Sequence, residues 1–287
     1  MQRLIAVIFN IHYNLLNKMF NIFKKTVIAL TSAAFVTACS SPDPQPEFAA
    51  TDKGAIVLEF DNYAGSNDLK LGTNYKNAAG EDFNIDLLQY YISNIKLKDE
   101  KGNVYTVPQD QSYFLVKEAD KTSQEIKIEN VPAGNYTEVT FTIGVDSLRN
   151  TSDVSKRTGA LDIGVAGAGK EMYWSWNSGY IFFKMEGVSP QINSADKRYR
   201  YHIGGFGGYS SKTINNVKTK TLSFGKDKAM VRKDKTPQVH TIVDILKVFN
   251  GTTNVSLATN PTVMFSPFSV NVANNYVEAF QYHHLHN

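Results

Sequence analysis

Apolar and polar residues alternate in short runs along most of this 287-residue chain. "AIVLEFDNYA" (55–64) reads as a strand with every second side chain apolar. "YYISNIKLKD" (90–99) alternates in the same way, turns at "EKGNV" and returns in "VYTVP". "SYFLVKE" (112–118), "QEIKIENV" (124–131) and "YTEVTFTIGVD" (136–146) continue the pattern. Val139, Phe141 and Ile143 share one face of the last, and "PAGN" supplies the turn before it. "TPQVHTIVDILKVFNG" (236–251) combines a strand with a helical turn. A helical pattern of useful length occurs at "NNYVEAFQYHH" (274–284). Many short strands punctuated by Gly, Pro and Asn predict an all-β chain, an antiparallel β-sandwich with few short helical segments. Further strands are expected near 173–185 and 200–205. No internal repeat and no internal linker interrupt 48–287, which reads as one domain.

The N-terminal segment breaks the pattern. Lys24 and Lys25 precede "TVIALTSAAFVTA" (26–38), an apolar stretch too short to span a bilayer as a mature helix. It ends in "VTAC", which resembles a bacterial lipobox. Residues 1–39 then form a signal peptide, with Met1 or Met19 as its start, and Cys39 becomes the lipidated mature N-terminus. "SSPDPQPE" (40–47) is a polar, Pro-rich tether. The expected location is the bacterial cell envelope, with the chain held by lipid on a membrane, the outer membrane being the expected one. Cys39 is the only cysteine, so the folded part is expected to lack disulfides, thiolate nucleophiles and cysteine metal sites.

Charge narrows the functional classes. The formal net charge is +3, but residues 1–39 hold four basic residues and no acid, leaving 26 basic and 27 acidic residues beyond them. A near-neutral chain without a Lys/Arg-rich run gives no electrostatic basis for binding nucleic acid. No GxSxG, HExxH or phosphate-binding loop is present, and "GGFGGY" (204–209) reads as a glycine-rich strand and turn. No catalytic constellation is visible, and the chain reads as a binder rather than an enzyme.

Two features carry candidate chemistry. Beyond the signal segment the histidines are His202, His240, His283, His284 and His286. On an extended strand His284 and His286 point to one face and His283 to the other, and imidazoles at i, i+2 can chelate one metal ion. The second feature is "EMYWSWNSGYIFFKMEG" (171–187), which holds both tryptophans, Trp174 and Trp176. If 173–183 is extended, Trp174, Trp176, Tyr180 and Phe182 share one face. That face suits a sandwich core, a platform for sugar rings, or the border of a metal site. Met172 and Met185 are candidate soft ligands, with apolar packing the leading reading for each.

"KEMYWSWNSGYIFFKMEG" resembles the signature of the MbnP-like proteins, the methanobactin-associated copper-binding family. "YYISNIKL" (90–97), "VPAGNYTEVTFTIGVDSLRN" (131–150), "RYHIGGFGG" (200–208) and "NNYVEAFQYHHLHN" (274–287) are similar to further segments of that family, in order, the last to its lipoprotein branch. The resemblance implies a β-rich, envelope-exposed copper binder. It also implies copper held by histidine nitrogens and by kynurenine, an oxidised tryptophan made by a partner di-haem enzyme. Carried onto this chain, it pairs His202, which matches the family's strand histidine, with His284 or His286 and with Trp174 or Trp176. Some relatives have a histidine on the first strand, where this chain reads Asp61 and Asn62. Copper handling is the leading expectation. A carbohydrate- or partner-binding outer-membrane module that has lost the metal is the alternative.

Overall fold

The computed structural model describes residues 48–49, 51–175 and 179–287. The signal segment, Cys39, the tether and Trp176 lie outside the described residues. Residues 48–287 form one compact unit, whose regular structure is mostly strand. In chain order these begin with β1 (Lys53–Ala64), β2 (Asn67–Asp68), β3 (Asn74–Lys76), β4 (Asp82–Asn84), β5 (Leu87–Asp99) and β6 (Val104–Thr106). There follow β7 (Tyr113–Lys117), β8 (Glu125–Pro132), β9 (Gly134–Ile143), helix α1 (Ser147–Asn150), β10 (Tyr173–Trp174), β11 (Gly179–Val188) and β12 (Arg198–Gly204). The chain closes with β13 (Lys218–Ser223), β14 (Ala229–Val231), β15 (Gln238–Asp244), β16 (Thr262–Val263), helix α2 (Ser269–Val277) and β17 (Phe280–His286).

Two large sheets face one another, and the fold is the expected all-β, sandwich-like class. The smaller runs β17–β15–β1–β2, with β8 also on β1. The larger runs β13–β9–β5–β11–β12–β16, with β14 on β9, β6 and β7 on β5, and β10 on β11. The sheets are not wholly antiparallel as the sequence pattern suggested. β1 pairs with β15 in parallel, from Val57 opposite Gln238 to Tyr63 opposite Asp244, and β12 pairs in parallel with β16. Strands so far apart in sequence have no turn to reverse them, so direction follows from tertiary packing.

The alternation in β1 sends Ile56, Leu58 and Phe60 into the space between the sheets, where Phe60 meets Phe141 of β9 with ring centroids 5.3 Å apart. Phe280 of β17 packs edge-on to Phe141 and to Tyr90 of β5, at 5.6 Å in each case. Each such ring, fully buried, contributes about 1.5–3 kcal/mol. The same alternation therefore points Glu59 and Asp61 of β1, and His240 of β15, to the opposite, outward face of the smaller sheet.

Strand β11 departs from alternation, since Gly179–Met185 are all buried. The larger sheet is covered on both faces, by the smaller sheet inside and by the 145–175 segment outside. The outer cover forms a second apolar cluster of Tyr91, Leu161, Met172, Trp174, Tyr180, Phe182 and Phe206. This accounts for the aromatic density of 171–187. The single strand expected over 173–185 is instead a reversal, with Trp174 of β10 opposite Gly179 of β11. Trp174, Tyr180 and Phe182 still meet in one cluster, but across the two arms rather than along one strand.

Helix α2 determines how the last strand is launched. Ser269, Val272, Ala273 and Tyr276 form its buried stripe at i, i+3, i+4, i+7, and Tyr276 stacks on Phe183 at 5.1 Å. The sequence pattern suggested helix over 274–284. The helix ends at Val277 because the residues beyond it pair with β15 as β17.

A histidine cluster on the outer face of the smaller sheet

Strand β17 lies against β15 with one irregularity in register. His240 is opposite His284, whereas Thr241 is opposite Tyr282, so His283 is an extra residue on β17. Strict alternation from the inward-facing Tyr282 would send His283 outward and His284 inward. The bulge resets the alternation, and His283 and His284 both stand on the side of His240. His286, two residues on, shares that face.

The imidazole nitrogens converge as a result. His240 Nδ1 stands 3.0 Å from His283 Nδ1, and His283 Nδ1 stands 2.9 Å from His284 Nδ1. The far nitrogen of His284 is 2.8 Å from His286 Nε2. A neutral imidazole has one donor and one acceptor nitrogen, and a single lone pair cannot accept two hydrogen bonds well. Three Nδ1 atoms turned toward one another therefore suit a shared cation better than a hydrogen-bond chain. Two nitrogens each about 2.0 Å from one ion stand roughly 2.8 Å apart at a right angle and roughly 3.3 Å apart at the tetrahedral angle. The observed separations fall in that range. Burial, with the positive charge that His240, His283 and His286 would carry, depresses the His284 pKa. Both causes favour the neutral form, which is the form that ligates metal.

His240 is the buried member, His284 is half-buried and His283 is exposed. The other side of His240 faces acid. Its Nε2 stands 3.3 Å from Asp61 Oδ2 and 3.9 Å from Glu59 Oε1. Glu59 and His240 are direct register partners across the β1–β15 pairing, and the second Glu59 oxygen accepts from Gln238 Nε2 at 2.8 Å.

The sequence-derived candidates divide between two surfaces. His284 and His286 belong to this cluster. His202 sits on β12 of the larger sheet, opposite Lys184, with Nε2 2.7 Å from Glu186 Oε1. Burial depresses its pKa and outweighs the hydrogen bond to Glu186, which acts the other way. Trp174 is buried under Phe265, with ring centroids 6.5 Å apart. Its indole also lies against Gly204, which shares an outward face of β12 with His202. The expected single site joining His202, a tryptophan and the C-terminal histidines is thus not assembled from the described residues. His202 and Trp174 belong to the outside of the larger sheet, and the histidine cluster to the outside of the smaller one. The buried Trp174 ring also offers no open platform for a sugar. Met172 and Met185 are both fully buried, as packing residues are. His240 and His283 complete the cluster, and only the pairing of β15 with the bulged β17 reveals them.

Fold and site together define a β-sandwich protein bearing an imidazole cluster of the kind that holds a transition-metal ion. The MbnP family model matches residues 53–265, and the chain belongs to that methanobactin-associated family. The match ends before β17, so the histidines of that strand lie beyond it. Among solved structures, MbnP from Methylosinus trichosporium is similar over 71% of this chain and 80% of its own, with 16% identity and a TM-score of 0.48. No curated protein shows significant sequence similarity to the chain.

Proposed function

We propose that this chain is a copper-binding lipoprotein of the bacterial cell envelope, acting in copper handling without catalysis. One observation carries the reading: the Nδ1 atoms of His240, His283 and His284 converge in successive steps of 3.0 and 2.9 Å. Copper favours imidazole among the ligands available to a folded part without cysteine. His286 stands next to His284 as a further ligand for an ion that exchanges. Membership of the MbnP family supports copper as the metal.

Titration of Cu(I) and Cu(II) into the full chain in detergent tests this. At least one tight equivalent is expected in the wild type and in His202→Ala, and its loss in the His283→Ala/His284→Ala double variant. A wild type with no stoichiometric copper, or a double variant that binds as tightly as wild type, refutes the reading. Tight binding that fails only in His202→Ala would move the site to the larger sheet.

Lipid on Cys39 anchors the chain in this reading, the "VTAC" sequence after a basic and apolar segment being its support. Cys39→Ser is expected to release the protein from the membrane fraction or to block its processing. Unchanged fractionation with the membrane would refute the anchor.

A further inference from the structure

We propose that His240 bridges two metal ions, the copper of the imidazole cluster on its Nδ1 side and a second divalent cation on its Nε2 side held by Asp61 and Glu59. The inference rests on the copper reading for the first ion and adds a second, carboxylate-rich position.

The two sides of the ring have different chemistry. Nδ1 faces only imidazole nitrogens. Nε2 faces Asp61 Oδ2 at 3.3 Å and Glu59 Oε1 at 3.9 Å, and these three atoms lie within 4.8 Å of one another. One ion can lie among all three once small side-chain movements bring each atom to an ordinary bond length of about 2.0–2.2 Å. The carboxylates are held for the purpose. Gln238 occupies one Glu59 oxygen and leaves the other directed at His240. The parallel β1–β15 register sets Glu59 beside His240 and Asp61 two residues further along the same face.

The position is also accessible. Glu59 and Asp61 are half-buried and line a cleft of about 340 Å³ together with Asp68, Glu125, Lys70 and Lys121, while His240 lies outside its lining. Carboxylates outnumber ammonium groups there, which favours a hydrated cation over an anion. His240 itself is buried, so its ring is fixed between the two positions. Bridging needs both ring nitrogens free of hydrogen, so binding of the second ion releases the remaining ring proton to solvent. Mixed imidazole and carboxylate ligation suits zinc or a second Cu(II).

The test is metal stoichiometry of the full chain. The protein is loaded with Cu(II), desalted, titrated with Zn(II), and its bound metals are counted by elemental analysis. Two ions per chain are expected in the wild type. Asp61→Asn and Glu59→Gln are each expected to keep the copper and lose the zinc. With Cu(II) supplied for both positions, a bridging imidazole couples the two spins, and the electron paramagnetic resonance intensity should fall below that of two isolated ions. Fewer than two ions in the wild type overturns the proposal whatever the variants do. The count separates the two readings: one copper without zinc leaves the imidazole site standing, with Asp61 only orienting His240, and no metal removes both. Zinc retained by both variants also overturns it.

Discussion

Replacing Glu81 by glutamine tests how firmly one buried carboxylate fastens the loop ahead of β16. Glu81 is 7% exposed. One of its oxygens accepts from Ser256 Oγ at 2.7 Å and the Ala258 N–H at 2.9 Å. The other accepts from Asn77 Nδ2 and the Leu257 N–H, both at 2.7 Å. Glutamine puts an NH2 group where one of these oxygens stood. Whichever way the amide turns, one backbone N–H and one side-chain donor lose their acceptor. Hydrogen bonds to charged groups are worth about 1.5–3 kcal/mol, and a buried donor left unpaired costs about 1–3 kcal/mol. The serine hydroxyl can rotate to accept from the new amide, so the expected loss is about 3 kcal/mol. For a folded unit of this size each kcal/mol shifts Tm by about 2–4 °C, which gives a fall of about 6–12 °C in a thermal melt followed by circular dichroism. The pH dependence provides an internal check. Burial pushes the Glu81 pKa up, but the four hydrogen bonds outweigh it and the net shift is downward. A carboxylate with a depressed folded pKa stabilises fully above its unfolded value of about 4.3, and that contribution is lost as pH falls through the folded value. Wild type and Glu81→Gln should therefore converge in strong acid. A difference below about 1 kcal/mol at pH 7, or one that does not shrink in acid, would show that the loop is held by something else.

Two further outcomes follow from the geometry. A Cβ on Gly204 would lie 2.5 Å from the Tyr180 carbonyl oxygen and 2.7 Å from Trp174 Cζ3, so Gly204→Ala should cost about 1–3 kcal/mol and red-shift the tryptophan emission. A melt and an emission spectrum like those of wild type would contradict the packing described. The His202 pKa is depressed, chiefly by burial, so the unfolded chain takes up that proton first as pH falls. Its contribution to stability is complete above about pH 6.5 and is lost as pH drops through the lower folded value. Thermal melts across pH 7.5 to 5 should show this decline, and His202→Gln should flatten it.

The sequence made the local half of this molecule legible. Strands with strict alternation and nearby turn residues, such as those beginning at Lys53, Leu87 and Gly134, were readable because their periodicity depends on one buried face. The reversal between Trp174 and Gly179 was not, because a strand buried on both faces loses the alternation that marks its limits. The final segment reads as helix because its apolar spacing merges the end of α2 with the start of β17. At the site, His284 and His286 were legible from their i, i+2 spacing. Strict alternation puts His283 on the wrong face because one extra residue in a ladder leaves no trace in composition. His240 carried no local signal at all. Its neighbours come from β17 and, through a parallel pairing, from β1, and only the assembled sheet brings them together.

The order in which the chain is made gives that parallel pairing a consequence in time. Asp61 and His240 are 179 residues apart, and His240 and His283 a further 43. The β17 histidines are made after every other residue of the cluster, and contacts of such long range form late. An unfolded chain keeps the three neighbouring histidines of the last strand but lacks His240 and Asp61 beside them. The complete cluster therefore exists only once the smaller sheet has closed, and an ion that needs all of its imidazoles can be bound only by the folded protein.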